Sequence, residues 1–316
     1  MPDTVLIAEE LRELLDPDPL PGFAVEWLPG AEPTPEGAYV GIVPLLSRRI
    51  GRPELDRLPR LRVVANCAVG LDNVDLAACA ARGIIVTHTP DVLTQATADL
   101  TWALLLAVTR RLKEGQRVIE EGRWRGWDPR ELLGLELNGA TLGIVGAGRI
   151  GRAVGRRAPP FGLRVCYADP SARRDFELET GALRLPLGQL LARSDAVTLH
   201  VPSTPETRNL IGARELELMK PGGFLINTAR GDLVDEDAVI AALEAGRLGG
   251  VGLDVFRREP QVPEALIRHP RAVVLPHLGS ATARSRRGMA GLAVRNARAV
   301  LSGEKPVTPA VERLSG

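Results

Sequence analysis

The chain has 316 residues, 45% hydrophobic and 25% charged, with 40 basic residues against 39 acidic and a formal net charge of +1. That balance excludes a disordered chain, which is less apolar and more charged, and a general polyanion binder, which needs an excess of basic side chains to face phosphates. No apolar run approaches the roughly 18 residues of a membrane span, and the acidic N-terminus reads as a strand, not a signal peptide. Three scattered cysteines, Cys67, Cys79 and Cys166, suggest neither a disulfide framework nor a metal site. A cytoplasmic protein without membrane, nucleic-acid or metal partners is expected, with roughly two domains by length.

Short, β-branched, nearly continuous apolar runs open the chain: Val5–Ala8, Ala24–Leu28, Tyr39–Val43, Arg62–Val69 and Ile84–Val86. They have the character of parallel strands buried on both faces. Asn73–Arg82 reads as a helix closed by Gly83. From Thr94 to Glu121 apolar residues recur at helical spacing, which predicts one long helix ended by Gly122. A segment punctuated by proline and glycine, Gly126 to Gly139, leads into a second series of strands: Thr141–Val145, Leu163–Ala168, Ala196–Val201, Gly223–Asn227, Val251–Val255 and Ala272–Leu275. Pro159 should end the helix before it early. A last helix, Ala283 to Ser302, can pack back onto the first domain. The pattern predicts an α/β protein whose cofactor domain, residues 99–283, is inserted into a discontinuous domain of residues 1–98 and 284–316.

Gly146-Ala147-Gly148-Arg149-Ile150-Gly151 follows a strand and opens a helix. Gly146 permits a tight turn, Gly148 lets the backbone approach a pyrophosphate, and Gly151 lets helix and strand pack closely. The helix N-terminus offers N–H groups to the phosphates. Asp169 ends the next strand at about the spacing where an acid accepts hydrogen bonds from the adenosine ribose. Hydride transfer to a keto group also needs a proton donor and an anion clamp. Four histidines compete for the first role: His88 at a strand end, His200 at another, His269 in a polar loop, and His277 between a strand and Leu278-Gly279-Ser280. Position alone leaves His200 and His277 both open. Arg230 can bind a carboxylate bidentately. Glu259, placed beside a histidine, could keep its proton available near neutral pH.

Several long motifs in order resemble the D-isomer-specific 2-hydroxyacid dehydrogenase family. They are Val69-Gly70-Leu71-Asp72-Asn73-Val74-Asp75, the glycine motif, His200–Ile211, Leu225–Val239, GLDVF with Glu259-Pro260, and Leu275–Thr282. The stretch Thr89–Asp99 and Gly122–Trp127 are similar to the glyoxylate/hydroxypyruvate reductase subgroup. The resemblance implies two doubly wound parallel-sheet domains, a flavodoxin-like substrate domain and a Rossmann cofactor domain, with a cleft between. It makes Arg230, Glu259 and His277 the catalytic three, with Val69, Gly70 and Trp127 joining Arg230 and His277 at the substrate. Thr97, Gly146, Gly148, Arg149, Ile150, Gly151, Asp169, His200, Pro202, Thr207, Thr228, Ala229, Asp254, His277 and Gly279 would then bind NAD(H), with NADP(H) possible through Arg173 and Arg174. It further implies a small 2-keto acid substrate and a two-fold homodimer built on the Thr94–Glu121 helix and the tryptophans after it. Two alternatives stay open: a phosphoglycerate or other D-2-hydroxyacid dehydrogenase, and a non-enzymatic, NAD-sensing corepressor-like protein.

Overall fold

The computed structural model describes residues 2–30 and 32–310, which fall into two compact units. One takes the chain up to Leu93 and the return from Ala281; the other is Thr94–Ser280.

The first unit holds β1 (Thr4–Ala8), β2 (Ala24–Leu28), β3 (Gly41–Val43), β4 (Val63–Ala65) and β5 (Ile85–Thr87) in a parallel sheet of order β2-β1-β3-β4-β5. This is the flavodoxin-type order, whose direction reverses between β1 and β3. Every residue of β3 and β4 is buried, as a strand covered on both faces requires. The Ala283–Leu301 helix packs on β3 and β4 and closes one face. Its start is capped by Thr282, whose hydroxyl accepts the Ser285 N–H at 3.1 Å.

The second unit holds β6 (Thr141–Val145), β7 (Arg164–Ala168), β8 (Leu183–Arg184), β9 (Ala196–Leu199), β10 (Gly223–Asn227), β11 (Leu248–Leu253) and β12 (Ala272–Val274). Their order is β12-β11-β10-β9-β6-β7-β8, again parallel throughout. Six of these strands reproduce the dinucleotide-fold order, with β6 and β9 flanking the reversal and β12 added at one edge. All residues of β6 and β10 are buried, including the small Gly143 and Gly223. The Thr94–Thr109 helix packs on β10 and β11, with Leu104 and Val108 against Gly252 and Gly250 of β11.

The structure corrects several sequence expectations. The single helix expected from Thr94 to Glu121 is two, Thr94–Thr109 and Leu112–Glu120. Arg111 between them takes left-handed φ/ψ of 53°/38°. The Thr109 carbonyl, which would extend the first helix, instead accepts the Leu135 N–H at 2.9 Å. The expected Asn73–Arg82 helix starts late, at Leu76, because Asp75 caps it by accepting the Ala78 N–H at 2.8 Å. The expected strand Arg62–Val69 is only Val63–Ala65, although the Asn66 N–H still donates to the Thr87 carbonyl of β5 at 3.0 Å. The two-residue β8 carries no sequence signal of its own and forms by pairing with β7.

Candidate active site

The sheet reversal in the second unit opens a crevice at the carboxyl ends of β6 and β9, where doubly wound sheets bind ligands. The glycine turn occupies that end. Gly146 has φ +91°, and a Cβ there would stand 2.6 Å from the His200 carbonyl oxygen. At Gly151 a Cβ would stand 2.0 Å from the Gly146 carbonyl oxygen, so only glycine lets this helix start so close to the strand. Over Gly148, by contrast, there is no atom within 4 Å of a built Cβ. Gly148 caps the Arg149–Arg156 helix, so this open space faces the partial positive charge of a helix start. Turn, open cradle and helix N-terminus together fit a pyrophosphate.

Asp169, just past β7, uses both carboxylate oxygens. Oδ2 accepts the Ala147 N–H at 3.0 Å, tying the acid to the glycine turn, while Oδ1 accepts from the Ser171 N–H at 2.9 Å and from Arg173 Nη2 at 3.1 Å. The other residues singled out for a cofactor are spread over the loops after β9, β10, β11 and β12 and the Thr94–Thr109 helix. His200 Nε2 lies 3.0 Å from the Thr198 hydroxyl, and burial pushes its imidazole down to about 3, so it is neutral at physiological pH. Thr207 donates to the Pro202 carbonyl at 2.7 Å. Thr97 donates to the Gly279 carbonyl at 3.0 Å, and the Thr228 hydroxyl meets that of Thr101 at 2.8 Å.

The loops after β10, β11 and β12 bring Arg230, Glu259 and His277 to one place. His277 Nδ1 lies 2.8 Å from Glu259 Oε2, and the other carboxylate oxygen of Glu259 accepts the Phe256 N–H at 3.0 Å. Burial alone would raise the Glu259 carboxyl. The hydrogen bonds from His277 and Phe256 and the charges of His277 and Arg230 outweigh it and hold the group below the ordinary carboxylate range. With Nδ1 committed to Glu259, Nε2 is the nitrogen left to exchange a proton with a substrate.

Two buried side chains hold these groups in place. His277 itself sits at φ 55°, a conformation a non-glycine residue adopts only when its surroundings enforce it. The enforcement comes from fully buried Asp254. Its carbonyl accepts the His277 N–H at 2.9 Å, and its carboxylate accepts the Leu278 N–H at 2.6 Å and the Gly279 N–H at 2.8 Å. Burial nevertheless pushes the Asp254 carboxyl above its ordinary value, against those two N–H groups. Asn227, also fully buried, does the same for the Arg230 turn: its Nδ2 donates to the Arg230 carbonyl at 2.7 Å and its Oδ1 accepts the Ala229 N–H at 3.0 Å. The Asp254 N–H donates to the Asn227 carbonyl at 2.9 Å, which joins the two turns. Asn227 was not among the sequence candidates. Its signal was an asparagine ending a buried strand just before Arg-Gly, a place where an amide can bond its own backbone.

Val69 and Gly70 belong to the other unit, on the loop after β4, and are half-buried. Trp127 is 85% exposed and Trp124 60%, so neither is packed into its own chain.

Residues 102–279 match the model of the D-isomer specific 2-hydroxyacid dehydrogenase, NAD binding domain. The chain belongs to that family. A glyoxylate reductase of Thermococcus gammatolerans is 49% identical over 271 residues, covering 84% of this chain and 81% of the relative. A solved Thermus thermophilus protein superposes with a TM-score of 0.87 at 45% identity, covering 98% of this chain and 100% of that one. The NADPH-dependent glyoxylate/hydroxypyruvate reductase of Sinorhizobium meliloti, solved with NADP and malonate, gives a TM-score of 0.86 at 36% identity, covering 98% and 97%. Family membership makes the glycine turn after β6 part of an NAD-binding domain and makes this chain an NAD(P)-dependent oxidoreductase.

Proposed function

We propose that the protein reduces a small 2-keto acid, glyoxylate or hydroxypyruvate, to the 2-hydroxy acid with a nicotinamide cofactor. The observation that carries this reading is the His277–Glu259 pair at 2.8 Å, with the Arg230 charge acting on the same carboxylate, in a unit that also carries the dinucleotide turn. The nicotinamide cofactor, when bound, supplies the hydride. Arg230, together with the N–H groups of Val69 and Gly70, holds the substrate carboxylate. His277 hands a proton from Nε2 to the carbonyl oxygen as the C2 centre is reduced, and Glu259 orients the ring and stabilises its charged form. Asp254 keeps the His277 turn in register. The Gly146–Gly151 turn, Arg149 and Ile150 hold the pyrophosphate, and Asp169 takes the adenosine ribose. Thr97, His200, Pro202, Thr207, Thr228, Ala229 and Gly279 complete the cofactor site.

NADH is the favoured cofactor, because a carboxylate at Asp169 repels a 2′-phosphate. NADPH is also used, because Arg173 already neutralises part of that charge at 3.1 Å. The active form is a two-fold homodimer in the cytoplasm, with Trp127 reaching the partner's substrate. A panel of 2-keto acids assayed with NADH and with NADPH tests the activity. Fastest NADH oxidation with glyoxylate or hydroxypyruvate is expected; failure of every 2-keto acid to oxidise either cofactor would refute the reading.

A further inference from the structure

His88, one of the four histidines, has no part in the chemistry above. It stands directly after β5, and its Nδ1 lies 3.0 Å from the Val69 carbonyl oxygen. A carbonyl only accepts, so Nδ1 carries the hydrogen and the tautomer is fixed. One residue further along the same loop, the Gly70 carbonyl accepts from Asn66 Nδ2 at 2.9 Å. Asn66 is fully buried and is locked in turn by Asn73, whose amide also donates to the Arg48 carbonyl at 3.0 Å. Thus two successive carbonyls are gripped by side chains. The N–H groups of Val69 and Gly70, meanwhile, donate to no group among the described residues.

A trans peptide points its C=O and N–H in opposite directions. The Val69 carbonyl and the Gly70 N–H belong to one such peptide, so drawing the carbonyl toward His88 turns the Gly70 N–H the other way. A carbonyl that accepts a hydrogen bond also polarises the N–H of its own peptide and makes it a better donor. Paired, unengaged N–H groups on a loop form an anion-binding concavity. His88 is itself held rigidly for this task. Its N–H donates to the Thr308 carbonyl at 3.2 Å, and its carbonyl accepts from the Thr308 hydroxyl at 2.6 Å and from Asn296 Nδ2 at 3.4 Å.

We propose that His88 is a positioning residue for the substrate carboxylate: it aims and strengthens the Gly70 N–H, and so sets affinity for the 2-keto acid without taking part in hydride or proton transfer. The proposal rests on the reading that the Val69 and Gly70 N–H groups bind that carboxylate. It distinguishes two kinds of substitution. Phenylalanine keeps the ring and deletes the donor. Asparagine keeps an N–H the same two bonds from Cβ as Nδ1.

The test is steady-state kinetics of the full chain with glyoxylate at saturating NADH, beside NADH binding by fluorescence titration. His88→Phe should raise KM for glyoxylate about 5-fold, the effect of one lost hydrogen bond, with kcat and the NADH Kd within about 2-fold of the parent. His88→Asn should restore KM to within about 2-fold of the parent. An unchanged KM in His88→Phe overturns the proposal, and so does a KM rise that His88→Asn fails to reverse while both variants lose thermal stability. Gly70→Pro, which deletes the N–H itself, separates the two layers of the argument. If it leaves KM unchanged, the carboxylate assignment falls and the role of His88 with it. If it raises KM while His88→Phe does not, only the role of His88 falls.

Discussion

In the proposed reaction His277 hands a proton to a developing alkoxide, and the Glu259 carboxylate 2.8 Å from Nδ1 fixes the ring for that transfer. His277→Ala should therefore lower turnover by roughly 10²–10⁴-fold while the NADH Kd stays nearly unchanged; a variant retaining half the parent turnover would remove His277 from the chemistry. Glu259→Gln keeps the hydrogen bond but not the charge. Turnover should fall in this variant, and an unchanged turnover would break the pairing. At Asp169 the same electrostatics are proposed to set cofactor choice. Arg173→Gln should free the carboxylate and raise the ratio of NADPH to NADH Kd by about 10-fold, roughly the value of one charge-assisted bond; equal ratios in parent and variant would show that Arg173 does not temper the acid. At this scale the long motifs pointed to Arg230, Glu259 and His277, which the structure brings to one place. The sequence was silent on Asn227, and on Asp254 as an organiser of backbone, because their bonds run to main-chain groups that no residue type announces.

At the scale of elements, most strands showed as β-branched apolar runs because both their faces are buried, and the mistakes lie where a tertiary bond overrides local pattern. Helical spacing continues from Thr94 through Val118, yet the Leu135 N–H captures the Thr109 carbonyl and the chain turns at Arg111. Arg111 offsets the cost of its left-handed backbone with a bidentate pair, Nε and Nη2 to the two oxygens of Glu114 at 2.6 and 2.8 Å. That pair holds the Glu114 carboxyl below its ordinary value, first through the hydrogen bonds and then through the charges of Arg111, Arg271 and His269, against burial. A folded-state pKa below the unfolded one means stabilisation that is present above the unfolded value and lost as pH falls through the folded one. Glu114→Gln should thus cost about 1.5 kcal/mol at pH 7 in urea unfolding. The difference should shrink progressively as pH falls below the unfolded carboxyl value of about 4.3. A pH-independent difference would assign the effect to packing instead.

On the scale of the whole molecule, both sheets reverse their strand order near a loop proposed to bind a ligand: between β6 and β9 in one unit, and between β1 and β3, next to β4, in the other. The alternation of strands and helices was enough to expect two such sheets. What it could not convey is which apolar surface the folded chain leaves uncovered. Leu112, Ile119, Trp124, Trp127 and Leu133 are all exposed, and all lie between the helix break and the end of the proline- and glycine-punctuated segment. A monomer rarely leaves so many large apolar side chains of one segment in water, and a two-fold axis can cover such a segment with its own copy. On the homodimer proposed above, the protein should sediment at twice the chain mass at assay concentrations. Replacing Leu112 and Ile119 with glutamate should yield a monomer, since two carboxylates cannot be buried unpaired at the symmetric contact. Trp127→Ala should leave the dimer and the NADH Kd intact yet change the ratio of kcat/KM between glyoxylate and hydroxypyruvate, because an indole covering a small substrate discriminates by shape and by exclusion of water. Full activity in a monomeric parent protein would refute the dimer, and an unchanged substrate ratio in Trp127→Ala would take Trp127 away from the substrate.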